Sequence, residues 1–231
     1  EINTELTRTI DNYFLQSSAK TFIFFSSVKA AADRVEGEFL TEEVLPKPVG
    51  PYGESKIAAE NLILEKLPAD KKVIILRPCM IHGPGNKGNL NLLYSVVRKG
   101  LPWPLGAYEN RRSFTSVDNL TMVVEKILTQ DLPSGIYNMG DDEALSTNEL
   151  IELMCEVLGK KANIWKISPR LMEITANWGA ALHLPLNPER LRKLTENYVV
   201  SNAKIKQALG IDKMPMSARE GLIKTIQSFE S

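Results

Sequence analysis

The first 80 residues alternate between two kinds of segment, and this alternation constrains the fold more than any other feature of the sequence. Residues 3–18 place apolar side chains at helical spacing, whereas residues 21–25 are a short run of β-branched and aromatic residues. A second segment of strong helix formers, residues 52–67, is followed by the all-apolar run 73–76. Helix, strand, helix and strand in this order predict parallel βαβ units, in a sheet that is covered on both faces.

Beyond Gly83 the segments are shorter and more mixed. Asp118 can cap the helix that begins at Asn119, and Ser146 with Glu149 forms a capping box at the start of another helix. We predict helices over 90–99, 119–129, 146–158 and 169–184, and short strands over 113–117 and 135–139.

Tyr52 and Lys56 stand four residues apart at the start of the second predicted helix. Residues at this spacing share a helix face, so the phenol and the ammonium can point into one cleft. A nearby cation stabilises a phenolate, which makes a phenol usable as an acid–base group, and an ammonium can also hydrogen-bond a ribose hydroxyl. Ser27 ends the preceding predicted strand, where ligands of open α/β sheets bind. We therefore predict Ser27, Tyr52 and Lys56 as catalytic residues.

Three segments in fixed order, FIFFSSVK, PYGESKIAAE and LRPCMIHGPG, resemble the extended short-chain dehydrogenase/reductases of the NAD-dependent epimerase/dehydratase family, which act on nucleotide sugars. The resemblance continues over essentially the whole chain through RRSFTSVDNL, GIYNMGDDEALSTNELIELM and VVSNAKIKQALG. The arginine pair before SFTSVDNL and the loop GPGNKGNLNLL are similar to the branch of UDP-N-acetylhexosamine 4-epimerases and 4-keto-sugar reductases. This resemblance implies NAD(P)-dependent chemistry at C4 of a nucleotide sugar, with UDP as the expected nucleotide, in surface polysaccharide synthesis. Epimerase and reductase stay open, as do NAD and NADP.

The resemblance also implies the architecture: an α/β fold that is the C-terminal portion of a Rossmann-like doubly wound parallel sheet, with a smaller, mostly helical substrate lobe. We expect residues 1–88 and 112–140 to belong to the dinucleotide-binding domain, and residues 89–111 and 141–231 to the lobe. Two parallel strands before Gly83 leave such a sheet incomplete. At roughly 30 residues per βαβ unit, we expect about 90 residues to precede Glu1 in a longer protein.

The family mechanism, carried over, gives each catalytic candidate a role. Tyr52 takes the proton from the sugar 4-hydroxyl as general base and returns one in the reverse direction, Lys56 tunes Tyr52 and binds ribose, and Ser27 hydrogen-bonds the 4-oxygen. The resemblance further implies that the cofactor is contacted by Tyr52 and Lys56 and, beside the nicotinamide, by Pro78, Met80 and Ile81.

Three further residues are candidates for substrate binding. Arg112 matches the position at which the family holds the substrate diphosphate, and its alternative is a surface arginine. Arg192 is a second phosphate candidate or a solvated helix residue. Asn89 could touch the nucleotide, or it could cap the helix that follows.

Departures from the family pattern limit the prediction. Dehydratases of the family carry an acid pair directly after the serine-containing strand, where this chain has Val28 and Lys29, so we expect no dehydration. Many relatives have Asn where this chain has Met80. The glycines from Gly83 onwards do not open a helix after the first strand, as a pyrophosphate-binding turn does. We therefore expect this chain alone to bind NAD or NADP weakly and to be inactive.

Composition excludes several other classes. Lys plus Arg and Asp plus Glu number 28 each, without a basic stripe, which argues against a nucleic-acid partner. Two histidines and two cysteines at scattered positions predict no metal site and a reduced, cytoplasmic protein. We read His82 as a packed or hydrogen-bonded histidine. No apolar run is long enough to cross a membrane, and the helix over 169–184 lacks a basic flank, so we expect it to pack within the lobe.

Two expectations concern the protein as a whole. The resemblance implies a homodimer that pairs the tyrosine-bearing helices. The alternatives to an enzyme are a non-catalytic protein that senses the cofactor or a nucleotide on the same fold, and an inactive truncated fragment, because a fold does not by itself confer function.

Overall fold

Parallel strands form two sheets in the computed structural model, which describes residues 2–181 and 187–230. The main sheet has the order β1-β2-β5, with β1 at Thr21–Phe25, β2 at Lys72–Pro78 and β5 at Gly135–Met139. A two-stranded parallel sheet joins β3 (Met80–His82) to β4 (Phe114–Ser116). The predicted α/β class with parallel strands is confirmed, whereas the division into two domains stays a prediction.

Nine helices lie within the described residues. They are α1 (Ile2–Gln16), α2 (Pro51–Glu65), α3 (Asn89–Arg98), α4 (Val117–Thr129), α5 (Thr147–Val157), α6 (Pro169–Ala181), α7 (Pro188–Thr195), α8 (Ala203–Leu209) and α9 (Ala218–Gln227). The capping box of Ser146 and Glu149 is confirmed at the start of α5. Our prediction did not include β3, α8 or α9, and it gave no bounds for α7, although a helix residue was one alternative for Arg192. The part of the predicted 169–184 helix beyond Ala181 lies outside the described residues.

The predicted cap of α4 is wrong by two residues. The Ser116 hydroxyl accepts a hydrogen bond from the Asn119 N–H at 3.2 Å, and Ser116 is also the last residue of β4. Asp118 lies instead in the first helical turn, with Lys224 3.4 Å away. Both residue types are good caps, but the chain leaves its extended conformation at Ser116, so the serine takes the position.

Strand β2 is apolar from Val73 to Leu76 because helices cover both of its faces there. Val73 and Ile75 pack with Phe14 of α1 and Ile63 of α2. The alternate residues, Ile74 and Leu76, pack on the other face, where the neighbours are Leu120, Val123 and Ile127 of α4 and Ile205 and Leu209 of α8. Successive side chains of a strand point to opposite faces, so burial on both faces explains the run of apolar residues. The same packing fixes the position of the strand's carboxyl end.

Helix α6 packs with one face only. Met172 and Ala176 are buried, which agrees with the expected packing, whereas Leu171, Ile174 and Trp178 remain exposed on the opposite side. Among the described residues, no helix combines the length and the apolar character that a membrane crossing requires.

Candidate active site

The carboxyl ends of β1 and β2 meet at one edge of the main sheet. Phe25 pairs with Leu76 in the parallel register, and the next N–H, that of Ser26, donates to the Leu76 carbonyl at 2.8 Å. Ser27 then begins a single 3₁₀ turn, Val28–Ala30, in which its hydroxyl accepts the Lys29 N–H at 3.2 Å. Ser27 is therefore held at the carboxyl edge of the sheet, as its position after a predicted strand indicated.

Helix α2 brings Tyr52 and Lys56 to the same edge. Tyr52 lies in the first turn of the helix and is 56% exposed. One turn later, the Lys56 ammonium donates to the Phe25 carbonyl at 3.0 Å. Because Phe25 is only two residues before Ser27, this contact ties the lysine-bearing face of α2 to the end of β1. The catalytic roles of these residues stay a prediction, but their common location supports it.

Opposing influences act on the Lys56 ammonium. Burial lowers its pKa from the ordinary lysine value, and the carboxylate of Glu60, one helical turn away, raises it; burial is the larger effect. The ammonium has three N–H donors, of which the Phe25 carbonyl takes one. The remaining donors are available for the hydroxyls of a ribose.

Gly53 allows the first turn of α2 to touch the turn after Ser27. A Cβ atom on Gly53 would lie 2.6 Å from the Lys29 carbonyl oxygen and 2.9 Å from the Pro48 Cβ. Real Cβ atoms do not approach backbone oxygens this closely, so any side chain at this position would separate the two turns. The glycine thus holds Tyr52 near the Ser27 turn.

We expect Gly53→Ala to destabilise the protein by about 1–3 kcal/mol, because the added methyl forces backbone shifts in a packed contact. Urea unfolding followed by tryptophan fluorescence measures this effect. Gly88→Ala is a matched control, since the nearest atom to its Cβ would be the Asn86 Oδ1 at 3.9 Å. Equal stability of the two variants would contradict the close contact at Gly53.

The two predicted phosphate-binding arginines share one carboxylate. Arg112 Nη2 lies 4.0 Å from Glu196 Oε1, and Arg192 Nη1 lies 3.9 Å from Glu196 Oε2. Arg192 also contacts Asp33 at 3.7 Å, and Asp33 accepts a hydrogen bond from the Lys29 ammonium at 3.2 Å. A continuous series of charged groups therefore leads from the turn after Ser27 to Arg112.

Arg112 is only partly satisfied in this cluster. Its Nη2 donates to the Lys193 carbonyl, but its Nε is buried and has no hydrogen-bond partner among the described residues. Burial lowers the pKa of the Arg112 guanidinium, and Glu196 raises it less. A desolvated cation with an unused donor is suited to bind a further anion.

The predicted cofactor residues lie at the end of β2 and in β3. Pro78 closes β2, and Met80 and Ile81 form the start of β3, where they pair with β4. Asn89 is exposed and is the first residue of α3. The N-cap position is Gly88, which has no side chain that could cap the helix. The N-cap alternative for Asn89 is therefore wrong.

The residues present fit one end of a dinucleotide. Gly83, Gly85 and Gly88 have the spacing of a phosphate-binding glycine turn and precede α3, but β3 pairs with β4 and not with the sheet that carries Ser27. Gly83 is explained by packing, since its Cβ would lie 2.5 Å from the Val117 Cγ1. Tyr52, Lys56 and the sheet edge fit the nicotinamide and its ribose, and within the described ranges we find no matching turn for the pyrophosphate.

His82 is a buried, hydrogen-bonded histidine. Its Nδ1 lies 3.0 Å from the Thr225 hydroxyl and its Nε2 lies 3.3 Å from an Asp141 carboxylate oxygen. Cys79 and Cys155 are free and buried, and burial raises the pKa of both thiols. In the part of the chain that the structure describes, no group of three or more His, Cys, Asp or Glu side chains could hold a metal ion.

Sequence reasoning missed the groups behind these residues. Glu60 and Arg77 form a buried ion pair next to Ser26, and Asp33 and Glu196 organise the arginines. A signal was present for Glu60, which follows Lys56 by one helical turn and has the charge to act on it. Nothing in the local pattern marked the other three residues.

A parallel sheet with a serine, a tyrosine and a lysine at its carboxyl edge defines an α/β protein of the short-chain dehydrogenase/reductase class. Within this class, the chain belongs to the NAD dependent epimerase/dehydratase family, whose sequence pattern matches residues 1–140. The resemblance identified from the motifs is therefore confirmed, and NAD is the cofactor of that family.

Individual relatives extend the similarity beyond residue 140. The chain is 30% identical to UDP-glucose 4-epimerase of Vibrio cholerae, over 99% of this chain and 69% of the relative. It is 29% identical to N-acetyl-alpha-D-glucosaminyl-diphospho-ditrans,octacis-undecaprenol 4-epimerase of Escherichia coli O157:H7, over 70% of this chain and 49% of the relative. The chain thus spans between about half and two thirds of the length of these proteins.

A solved structure with a similar fold is UDP-glucuronic acid 4-epimerase from Bacillus cereus in complex with NAD. The TM-score is 0.75 at 18% sequence identity, and the match covers 99% of this chain and 67% of that protein. At this identity the comparison shows the shared fold.

Proposed function

We propose that this chain carries the catalytic groups of an NAD(P)-dependent 4-epimerase of a nucleotide sugar, with UDP as the nucleotide. The observation that supports the proposal is the hydrogen bond from the Lys56 ammonium to the Phe25 carbonyl, two residues before Ser27, on the helix whose first turn carries the exposed Tyr52. The names of the two relatives, both 4-epimerases, support the choice of reaction. Action as a 4-keto-sugar reductase is the alternative, since it needs the same three side chains.

The proposed chemistry follows from the positions of these side chains. Tyr52 takes the proton from the sugar 4-hydroxyl, and the Ser27 hydroxyl hydrogen-bonds the same oxygen. Lys56 assists Tyr52 in proton transfer and binds the nicotinamide ribose through its remaining N–H donors. A bound nicotinamide cofactor would supply the removal of hydride from C4 and its return to the opposite face, which inverts C4. Tyr52 would then give its proton back to the 4-oxygen.

The charged cluster suits the other end of the substrate. Arg112 and Arg192 both lie against Glu196, and the Arg112 Nε has no partner among the described residues. We propose that the diphosphate binds there, since guanidinium groups bind phosphate oxygens in pairs. Asn89, exposed at the start of α3, is a proposed nucleotide contact.

The first test measures products. Incubating a full-length protein that contains this chain with NAD⁺ and UDP-glucose or UDP-N-acetylglucosamine, followed by anion-exchange chromatography, should show the C4 epimer without net formation of NADH. Consumption of NADH that depends on a 4-keto sugar would favour the reductase instead. An NADH fluorescence titration belongs beside it, and we expect weak binding by this chain because the described residues supply groups for the nicotinamide end only.

We expect Arg112→Met to raise the dissociation constant for UDP about 10- to 100-fold, because it removes charge-assisted hydrogen bonds to the diphosphate. Isothermal titration calorimetry measures this. Arg111→Met is the matched control, since the Arg111 guanidinium bonds the Ala144 carbonyl and is more exposed. Equal weakening by both substitutions would argue against a specific diphosphate site at Arg112.

The assembly and the division of the chain are also proposals. Leu6, Ile10 and Tyr13 form an exposed apolar face on α1, which packs against α2. This face supports a homodimer formed through the tyrosine-bearing helix and its neighbour, and light scattering measures the mass in solution. We keep residues 1–88 with 112–140 as the dinucleotide-binding part and the remainder as the substrate lobe.

A further inference from the structure

A fully buried ion pair lies behind the candidate catalytic residues. Glu60 and Arg77 are 0% and 1% exposed. Arg77 Nε donates to the two Glu60 oxygens at 3.0 and 3.2 Å, and Arg77 Nη2 donates to Oε2 at 2.5 Å. The Ser26 hydroxyl donates to Glu60 Oε1, so that one carboxylate of α2 joins β2 to the residue that follows β1.

Each member of this trio adjoins a residue of the candidate site. Ser26 precedes Ser27, Glu60 follows Lys56 by one helical turn, and Arg77 precedes Pro78. None of the three has a role in the proposed chemistry, and all three are buried. The trio therefore lies directly behind the groups that would face the substrate and the cofactor.

Stability alone is a weak explanation for such a pair. Removing two charges from water costs several kcal/mol per ion, and well-packed apolar residues of similar volume are often as stable. Apolar residues, however, would not fix the relative orientation of the elements that carry the pair. The planar guanidinium and the carboxylate meet in one fork geometry, and this sets the spacing of the elements that carry them.

We propose that Ser26, Glu60 and Arg77 are positioning residues, a buried brace that holds the Ser27 turn of β1 at a fixed distance from the lysine-bearing face of α2. Through the brace, the Phe25 carbonyl stays within reach of the Lys56 ammonium. The consequence for turnover rests on the proposed function, whereas the geometry itself does not.

The effect of the brace can be measured as a change in the pKa of Lys56. Burial against the end of β1 lowers its pKa, and the Glu60 carboxylate raises it. The elements packed around it carry further charged or titratable groups. Among them are Tyr52, Glu54 and Glu65 on the same helix, Lys29 on the turn after Ser27, Lys72 and Arg77 on β2, and Glu5, Arg8 and Asp11 on α1. Of these neighbours, Glu60 is the one whose charge acts on Lys56.

Two substitutions should therefore move the Lys56 pKa in opposite directions. Glu60→Gln removes the attracting charge, so the pKa should fall further below the ordinary lysine value. Ser26→Ala keeps the ion pair but releases the end of β1 from Glu60. Lys56 should then lose its buried contact with Phe25, and its pKa should rise towards the ordinary lysine value.

The measurement is a pH titration of the Lys56 ¹³Cε signal by NMR in the full chain without cofactor, assigned with Lys56→Arg. Glu54→Gln, on an exposed part of the same helix, and Ser113→Ala, which removes another buried hydroxyl that accepts the Val200 N–H, are the controls. Opposite shifts in the two brace variants, and none in the controls, are expected. An unchanged Lys56 titration in Ser26→Ala would overturn the brace. Should Glu60→Gln fail to fold, Ser26→Ala alone decides.

Turnover separates the brace from the proposed function. In an active preparation, Ser26→Ala should lower kcat at least 10-fold with little change in KM for the sugar nucleotide, and Ser26→Thr, which keeps the hydroxyl, should restore it. If the Lys56 pKa shifts as expected in the brace variants but the unaltered protein shows no turnover, the brace is retained and the proposed function is refuted. If Ser26→Ala keeps full turnover and an unchanged Lys56 pKa, the brace is refuted and the proposed function is retained.

Discussion

Replacing Tyr52 by phenylalanine should lower kcat for C4 epimerisation by roughly 10²- to 10⁴-fold, the contribution of a positioned acid–base group. The substitution removes only the hydroxyl, which is the group that takes and returns the proton of the sugar 4-hydroxyl. Tyr52 is 56% exposed, so the fold should be unaffected. Product chromatography measures kcat, and thermal unfolding followed by circular dichroism checks that the melting temperature is unchanged.

Tyr13→Phe is the matched control for this experiment. It makes the same chemical change at an exposed tyrosine of α1 and should leave kcat as it is. Undiminished biological activity of Tyr52→Phe would refute the catalytic role. The chain would then be better described as a protein that senses the cofactor or a nucleotide on this fold.

Replacing Arg77 by methionine should lower the free energy of unfolding by about 3–5 kcal/mol, because it leaves the Glu60 carboxylate buried and uncompensated. The Ser26 hydroxyl would be the one donor left on that carboxylate among the described residues. Urea unfolding, followed by tryptophan fluorescence, gives the free energy. The double variant Arg77→Met with Glu60→Leu should recover most of the loss, since neither charge then remains buried.

An exposed ion pair provides the comparison. Arg219 and Glu156 are each more than half exposed, and Arg219→Met should cost less than about 1 kcal/mol. If Arg77→Met cost no more than this surface substitution, the burial of the pair would be contradicted.

Much of the candidate site could be predicted because its signals are local. Tyr52 and Lys56 lie on one helix at a spacing that fixes a common face, and Ser27 directly follows a strand. Helix geometry and the direction of a parallel strand place such residues without knowledge of distant contacts. Glu60 and Arg77 were missed, because their pairing depends on how α2 lies across β2.

The errors in the prediction have similar causes. Asp118 and Ser116 are equally good caps by type, and the end of β4 decided between them. The N-cap was one of the two alternatives for Asn89, and the helix in fact begins with this residue. Helix α9 has a capping box of Ser217 and Glu220 that the sequence did show, and our prediction passed over it.

The sequence by itself determined the local elements, because helix faces, caps and fully covered strands depend on residues close together in the chain. It determined the class of fold for the same reason, since an alternation of helices and apolar strands has few solutions. The tertiary structure alone decided that β5 pairs with β2, and that Arg112 and Arg192 meet at Glu196. Such contacts join distant parts of the chain, and the packing of whole elements selects them among many partners that the local pattern allows.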